Sequence, residues 1–475
     1  MTVRLATYAP LAWSALVVAA LVAWFGSHGY DDPFITYRYA ENLAGGLGFV
    51  YNAGERVLST TTPLYTLVLA GARLLGADVP LFSNALGVAS LALGGLAFWW
   101  LGQAWHTPFA GLVGLVAFPL FPLLVTSLGS EVALYLALTL GGFLAYAHGR
   151  YTAVALLLGL AALVRADGVL AAVAVAAVFL IERRGPIPWR AVGIYAGLLA
   201  PWFVFAQAYF GAPFPVTLAA KRRQGLLPAS ELFLPGLLAQ ARDNYWRYPV
   251  YRPIFGLAGV GLPYAALARS RWLLPIGWSG LYIVAYTALG VTSYFWYYGP
   301  VLVGFVALAG LGAEWLARLV QRALGRLVAG WLLALLLAAL LLRGEYAGLQ
   351  FLRDHPDTRQ LPYHAVGTWL REHTPPGARV GTLEVGIIGY YAQRPMIDFA
   401  GLLQPEVALQ LTPSSGYDDA AVWAFEHYRP DFLVLQNGAL PRLQTEVAPA
   451  YGCRPVHTIS AAAYPLLIAI FDCRV

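Results

Sequence analysis

Long apolar segments recur along the chain from Leu11 to Leu342, and they restrict its fold more than any other feature. Many of them approach the roughly 20 residues that an α-helix needs to cross a lipid bilayer. Charged residues make up only 11% of the sequence, against about 25% in ordinary soluble domains. A soluble core cannot use so many helices that are apolar all round. The chain is therefore predicted to be a polytopic, mostly α-helical membrane protein.

The apolar segments predict about eleven transmembrane helices. They are Ala9–Ser27, Thr62–Ala77, Leu81–Gly102, Phe109–Ser127, Glu131–His148, Tyr151–Ile181, Ala191–Phe210, Pro253–Ala268, Trp272–Leu289, Tyr294–Leu316 and Leu327–Leu342. Arg165, Asp167 and Gly168 interrupt the segment Tyr151–Ile181. We interpret this segment as one long, tilted or broken helix that crosses once, because two crossings would make the orientation inconsistent.

Arginine residues in three short loops predict the orientation. They are Arg183, Arg184 and Arg190, then Arg269 and Arg271, then Arg318, Arg322 and Arg326. Basic residues in short loops stay preferentially in the cytoplasm, which leaves residues 28–61, residues 211–252 and the C-terminal tail outside. The net charge of +6 is spread over such loops, so a nucleic-acid partner is not expected.

The character of the sequence changes after Arg343. An amphipathic helix is predicted at His364–His373, and four short apolar runs suit buried strands: Arg379–Val385, Pro395–Phe399, Asp431–Leu435 and Leu466–Phe471. We therefore expect a transmembrane domain over residues 1–343 and a small extracytoplasmic α/β domain over residues 344–475. Cys453 and Cys473 both lie in this tail. They can pair in an oxidising compartment, and two unpaired buried thiols are an equal alternative.

Two adjacent acids, Asp31 and Asp32, follow the first predicted helix. Ionisable residues at the end of a membrane helix are costly, so they indicate a function. An amphipathic stretch, Phe34–Leu43, comes next and is expected to lie along the membrane surface. The alternative is that Asp31 only caps this surface helix.

Basic residues in the second external segment are candidates for phosphate binding. Lys221, Arg222 and Arg223 follow each other there, and arginine offers forked donors to phosphate oxygens. The alternative is that they act as an orientation signal or bind anionic lipid headgroups. Arg165 and Asp167 face either a cavity or each other. Glu131 begins a predicted helix at its cytoplasmic end, whereas functional acids are expected outside. Either this part of the topology or a role for Glu131 in an external site is therefore wrong.

Aromatic residues at Tyr294–Tyr298 suit a belt at the membrane interface. Alternatively, Tyr297 and Tyr298 line a substrate site. The eight histidines have no metal-ligand spacing, and no glycine-rich phosphate loop precedes a helix. A nucleotide-sugar donor is therefore not expected and no cofactor is firmly predicted, although a divalent Mg or Mn ion at Asp32 remains open.

Several motifs together resemble the polyprenyl-phosphate-dependent GT-C membrane glycosyltransferases, especially their bacterial arabinofuranosyltransferase-like branch. The resemblance is carried by residues 31–40 (DDPFITYRYA), 48–52 (GFVYN), 54–56, 62–64, 129–131, 165–168, 213–221 (PFPVTLAAK) and 384–402. One departure lies at Ser59 and Thr60, where relatives often carry a glycine or a glutamate. This departure leaves acceptor recognition open.

The resemblance implies a GT-C-like fold and sugar transfer from polyprenyl phosphate to a hydroxyl group of an envelope glycan, lipid or protein. Transfer would invert the sugar on the outer face of a bacterial plasma membrane, with an acid of the first loop as the base. Asp31 is favoured over Asp32 for this role. The resemblance also implies ligands for the donor phosphate, which are Lys221, Arg222, Arg165 and Arg38. The residues that it implies for the lining of the substrate site are Tyr37, Glu131, Asp167, Tyr297 and Tyr298.

The rival interpretation is a polytopic transporter or lipid-linked sugar flippase. It would explain the apolar helices and the charged pair Arg165 and Asp167. Transporters commonly have repeated halves, and this sequence has no evident internal symmetry. A long acidic first loop and a folded external tail favour the transferase.

Overall fold

The first part of the chain forms a helical bundle. The computed structural model describes residues 2–183, 185–228, 230–268, 270–461 and 464–474. Arg184 and Arg269, which we used for the orientation, lie outside these residues. The helices up to residue 354 are α1 Thr2–Phe25, α2 Pro33–Ala44, α3 Pro63–Leu74, α4 Val79–Ala104, α5 Pro108–Leu120, α6 Pro122–Thr126, α7 Val132–Ala147, α8 Tyr151–Val164, α9 Val169–Glu182, α10 Trp189–Phe210, α11 Thr217–Gln224, α12 Phe233–Ala241, α13 Arg252–Leu267, α14 Leu273–Leu289, α15 Gly299–Leu324 and α16 Leu327–Asp354.

Length and composition identify the membrane helices. Among the described residues, six helices are long and apolar enough to cross a bilayer: Tyr8–Phe25, Val79–Ala104, Pro108–Thr126, Trp189–Phe210, Phe295–Leu324 and Leu327–Asp354. Shorter apolar helices, among them α7, α8 and α14, pack between them. The chain is therefore a mostly α-helical, multi-pass membrane protein. The number of crossings, about eleven, stays a prediction.

The predicted crossing at Thr62–Ala77 is wrong. Helix α3 has only 12 residues and lies beside α2, where Arg73 forms an ion pair with Glu41 at 2.6 Å. Helix α4 then begins at the same end of the bundle. The Asn84 amide in its first turns donates to the carbonyl oxygens of Gly26 and His28 at the end of α1, at 3.0 and 2.6 Å. The chain thus returns without having crossed.

The interpretation of Tyr151–Ile181 as a single crossing is also wrong. Helices α8 and α9 form an antiparallel hairpin, in which the rings of Tyr151 and Phe179 lie 5.5 Å apart. The turn of this hairpin carries Arg165. The two errors cancel in the orientation count, but they had put Glu131 at the wrong end. Glu131, Arg165 and Asp32 all lie at one end of the bundle, which we call the Asp32 end.

The C-terminal region combines helices with one mixed sheet. Its elements are α17 Gln360–His373, α18 Ile387–Ala392, α19 Pro405–Leu409, α20 Tyr417–Tyr428, α21 Ala448–Ala450, β1 Val380–Thr382, β2 Met396–Asp398, β3 Phe432–Gln436, β4 Arg454–Ala461 and β5 Tyr464–Asp472. The strand order is β2-β1-β3-β5-β4, with β1 parallel to β2 and β3 and the other pairs antiparallel. The predicted helix and four strands are confirmed. Strand β4 was missed because it is a largely exposed edge strand without an apolar run.

The C-terminal region docks on the Asp32 end. Buried residues of the first loop, such as Phe34 and Tyr51, share one apolar cluster with Tyr363 and Ile388. Cys453 and Cys473 form a disulfide, so the alternative of two free thiols is excluded. Helix α16 runs from the bundle to Asp354 without a break. The domain boundary near residue 344 therefore stays a prediction.

Candidate functional site

A cavity of about 360 Å³ opens at the Asp32 end. The first loop, the start of α7, the α8–α9 turn, α11, α14 and the segment before α15 enclose it. Its apolar lining includes Val169, Leu170, Leu218, Ala285 and Leu289. Five charged side chains also line it: Asp32, Glu131, Arg165, Asp167 and Lys221. The cavity can therefore hold a molecule that has both a charged and an apolar part.

Asp32 and Lys221 face each other across the cavity. The Lys221 Nζ lies 3.8 Å from Asp32 Oδ1 and 3.9 Å from the centre of the Tyr294 ring. Burial by itself lowers the pKa of Lys221, but the Asp32 carboxylate and the tyrosine hydroxyl groups raise it above its usual value. The ammonium group therefore keeps its charge. Among the described residues, Asp32 is its one ion-pair partner, and the 3.8 Å distance leaves the ammonium group able to turn toward a bound anion.

Arg165 is held more tightly. Its Nη1 donates to Glu131 Oε1 at 2.7 Å, and its Nη2 donates to Asp167 Oδ2 at 2.8 Å. The Tyr286 hydroxyl also donates to Asp167 Oδ2 at 2.5 Å. The guanidinium group is thus a bridge between two carboxylates rather than a free anion site. Arg165 and Asp167 were predicted to face either a cavity or each other, and they do both.

Asp31 points away from the cavity. Its carboxylate accepts hydrogen bonds from the backbone N–H groups of Gly386 and Ile387, at 3.0 and 2.7 Å. Burial raises the pKa of Asp31 even though these hydrogen bonds lower it. The Asp31 side chain makes no cap on α2, whose first turn has no side-chain cap. The capping alternative is therefore wrong. Of the two adjacent acids, Asp32 is the one that lines the cavity.

A second acid group lies behind Asp31. Burial, and then the nearby Asp31 carboxylate, raise the pKa of Glu384 to about 8. Arg359 Nη1 lies 3.8 Å from Glu384 Oε1 and makes a closer ion pair of 2.7 Å with Asp357. In the sequence, Glu384 stood out only as the first residue of the segment 384–402, which carries part of the resemblance. No local signal indicated that it would meet Asp31.

Besides Asp31, four predicted site residues lie outside the cavity. The buried Arg38 guanidinium donates to the carbonyl oxygens of Tyr51, Gly389 and Arg394, so it holds the C-terminal region. Arg222 is exposed on the outer side of α11. The Tyr37 hydroxyl donates to Gly129 O at 2.5 Å, and the Tyr298 hydroxyl pairs with Ser293 at 2.7 Å. The side chains of Arg38, Tyr37 and Tyr298 are occupied by these contacts, and that of Arg222 is exposed outside the cavity, so this arrangement does not support their predicted roles.

The cavity is also lined by residues that were not among the predicted site residues. They are Tyr30, Trp296, Tyr286 and the hydroxyl residues from Ser59 to Thr62. Tyr282 and Tyr286 stand four positions apart near the end of an apolar helix, a spacing that puts both hydroxyl groups on one helix face. That spacing was an available signal. Tyr297, which was predicted, lies in the cavity.

The described residues contain no group of three or more histidine, cysteine, aspartate or glutamate side chains arranged to hold a metal ion. In the cavity, Glu131 and Asp167 already share the Arg165 guanidinium, which leaves Asp32 as the acid that an ion could reach. A divalent Mg or Mn ion at Asp32 therefore stays a prediction.

Solved structures with a similar fold include two membrane glycosyltransferases. ArnT from Cupriavidus metallidurans in the apo state aligns with a TM-score of 0.62 at 17% identity, over 97% of this chain and 98% of that one. ArnT bound to undecaprenyl phosphate aligns with a TM-score of 0.59 at 17% identity, over 96% and 98%. The apo oligosaccharyltransferase of Archaeoglobus fulgidus aligns with a TM-score of 0.57 at 15% identity, over 94% of this chain and 71% of that one.

Sequence comparisons add little to this likeness. Residues 350–467 match a domain of unknown function, DUF8728. No curated protein sequence matches the chain significantly. The structural likeness covers nearly the whole chain, including the Asp32 end and the C-terminal region. The chain therefore has the GT-C fold of membrane glycosyltransferases, as its motifs predicted.

Proposed function

We propose that the protein is a glycosyltransferase that moves a sugar from a polyprenyl-phosphate donor to a hydroxyl group of an acceptor. The acceptor class is an envelope glycan, a lipid or a protein. The observation that carries the proposal is the cavity, in which Asp32 and Lys221 face each other and apolar residues also form part of the lining. ArnT, which has the same fold, binds undecaprenyl phosphate. The phosphate and the apolar chain of such a donor match the charged and the apolar lining residues of the cavity.

The donor is proposed to enter with its chain along the apolar lining residues. Val169 and Leu170 of α9 and Ala285 and Leu289 of α14 belong to that lining. The phosphate would then lie near Lys221, whose ammonium group acts as a point charge for it. Arg165 would act indirectly, by holding Glu131 and Asp167 in place.

Asp32 is proposed as the general base, in preference to Asp31. The Asp32 side chain lines the cavity and is 38% exposed. The Asp31 carboxylate, in contrast, accepts hydrogen bonds from two backbone N–H groups. Asp32 would accept the proton of the acceptor hydroxyl group while its oxygen attacks the anomeric carbon. The bond from that carbon to the phosphate oxygen breaks, and its electron pair leaves with polyprenyl phosphate. Attack from the opposite face inverts the sugar.

The Asp32 end is proposed to face the outside of a bacterial plasma membrane. Arg183, Arg271 and Arg326 lie between helices at the other end of the bundle, and Arg318 and Arg322 lie in the last two turns of α15 at that end. Basic residues at such helix ends and loops stay preferentially in the cytoplasm. The Cys453–Cys473 disulfide favours the same orientation, since disulfides persist in oxidising compartments.

The test compares Asp32→Asn with Asp31→Asn in purified protein, with a synthetic farnesyl-phosphate sugar as the donor probe. Loss of a general base lowers the rate by about 10²–10⁴-fold. We expect such a loss in Asp32→Asn with unchanged thermal stability, and a loss of stability in Asp31→Asn. Asp354→Asn, at an exposed acid on α16, is the control. Full transfer activity in Asp32→Asn would remove the base assignment. Movement of labelled lipid between leaflets without any transfer would favour the transporter instead.

A further inference from the structure

A second space lies beside the cavity, and Phe214 lines both. It has a volume of about 470 Å³, within the range of about 300–1,000 Å³ typical of ligand pockets. Residues 55–58 of the first loop, residues between 210 and 216 after α10, and the C-terminal region enclose it. We call it the outer groove.

A wall about one residue thick separates the outer groove from the cavity. Three chain segments each contribute two adjacent residues, one to each space. The groove is lined by Leu58, Val216 and Leu403, and the cavity by their chain neighbours Ser59, Pro215 and Leu402. Phe214 lines both spaces. A molecule in the groove is therefore next to the space that Asp32 faces, and Phe214 can contact molecules in both spaces.

One backbone hydrogen bond joins two segments of the wall. The backbone N–H of Val216 donates to the carbonyl oxygen of Leu58 at 3.0 Å. The adjacent Thr217 has a buried hydroxyl group for which the described residues supply no hydrogen-bond partner. Buried polar groups are normally paired, so the Thr217 hydroxyl group is an exception beside this wall.

The rim of the outer groove carries two positive and two negative side chains. Each is held by a neutral group. Arg56 stacks on the Tyr209 ring at 4.5 Å, Arg379 donates to Tyr428 O at 2.7 Å, Glu406 accepts from the Tyr428 hydroxyl at 3.2 Å, and Glu55 accepts from Asn52 at 3.0 Å. Forked donors and acceptors without net charge suit the hydroxyl groups of a neutral sugar better than a phosphate.

Two aromatic side chains, Phe210 and Phe214, also line the groove, and Phe214 is 65% exposed. An exposed aromatic face offers a flat apolar surface, which matches the C–H face of a sugar ring. Polar side chains and aromatic rings in one groove are thus suited to a carbohydrate.

We propose that the outer groove binds the sugar chain of a glycan acceptor, with Phe214 stacking on its terminal residue and guiding the attacking hydroxyl group toward Asp32. This rests on the proposed glycosyltransferase function and names its acceptor class. The glycan can be free or the headgroup of a lipid, and both present the same hydroxyl-rich surface to the groove.

The experiment measures two reactions of the purified full-length protein with the farnesyl-phosphate sugar probe. Hydrolysis of the donor without acceptor reports on the cavity, and transfer to short methyl or decyl glycosides reports on the groove. Phe214→Ala and Arg56→Gln should raise the KM for the glycoside by about tenfold or more. Arg56→Gln, which lies outside the cavity, should leave donor hydrolysis unchanged. Phe351→Ala and Arg371→Gln, at exposed residues outside both spaces, are the matched controls.

Each outcome decides the proposal. Transfer to decyl but not methyl glycosides supports a lipid-anchored glycan, and transfer to both supports a free one. An unchanged glycoside KM in both groove variants overturns the role of the groove. Donor hydrolysis without transfer to any glycoside overturns the glycan acceptor. The absence of both reactions in the unmodified protein instead overturns the proposed function itself.

Discussion

Arg165 and Lys221 are both cations of the cavity, but their partners differ. Arg165 lies between the carboxylates of Glu131 and Asp167 at 2.7 and 2.8 Å. Lys221 has Asp32 at 3.8 Å as its carboxylate partner. The more tightly paired cation is expected to hold the site together, and the more loosely paired one is expected to bind the donor phosphate.

The first prediction separates these two roles. Arg165→Gln leaves two buried carboxylates without their cation, and breaking a buried ion pair costs about 3–5 kcal/mol. We therefore expect a clear drop in the thermal unfolding temperature in detergent. Lys221→Gln should lose stabilisation by farnesyl phosphate while its own unfolding temperature changes little. An Arg165→Gln protein that unfolds at the temperature of the unmodified protein would contradict the structural role.

The second prediction concerns pH and Glu384. Burial and the nearby Asp31 raise the pKa of Glu384 from 4.5 to about 8. In this pH range the folded protein holds a proton that the unfolded chain releases, so stability falls as pH rises from about 4.5 to about 8. Glu384→Gln keeps the neutral form at every pH and should reduce this fall. The measurement is the unfolding temperature as a function of pH, and an identical slope in the variant would refute the assignment.

The third prediction belongs to the segment between β1 and α18. A side chain at Gly386 would overlap the backbone oxygen of Asp31 and lie 2.5 Å from its Oδ2. Gly386→Ala should therefore separate this segment from the first loop and lower transfer activity, because Asp32 follows Asp31 directly. Gly377→Ala, where the added Cβ meets no atom within 4 Å, is the matched control. Hydrogen exchange at residues 384–390 is the measurement, and protection equal to that of the control would refute the contact.

The helical elements could be predicted from apolar length, but their direction could not. Helix α3 is apolar and begins with proline, so its sequence looks like a short membrane helix. It fails to cross because Asn84 in α4 contacts the end of α1, a contact that no local pattern encodes. Likewise, the charges at Arg165 indicated a break, but only packing decides whether a broken helix continues or turns back.

At the scale of the whole molecule, the site depends on contacts between distant parts of the chain. Asp31 and the backbone of Gly386 lie 355 positions apart. The sequence therefore identified the acidic pair but not which member faces the cavity, and it favoured Asp31. Lys221 was predicted correctly to lie near the acids because the second polar segment falls at the same end of the bundle. Arg38, in contrast, was predicted as a phosphate ligand but donates to carbonyl oxygens of the C-terminal region.

The last prediction tests the orientation of the whole molecule. The C-terminal region and the cavity share the Asp32 end, whereas Arg271 lies at the opposite end. There the neighbouring Trp272 donates to Thr107 between α4 and α5 at 2.8 Å. Gly377 and Arg271 are both exposed. The native cysteines are joined in a disulfide and do not react with maleimide.

In spheroplasts, an impermeant maleimide should therefore label the Gly377→Cys variant without permeabilisation, and the Arg271→Cys variant only after it. This pattern follows because basic loops stay in the cytoplasm and disulfides persist outside it. Labelling in the reverse pattern would put Asp32 and the cavity in the cytoplasm. A donor exposed on the outer leaflet could not then reach Lys221, and the proposed reaction would have to take place on the inner face.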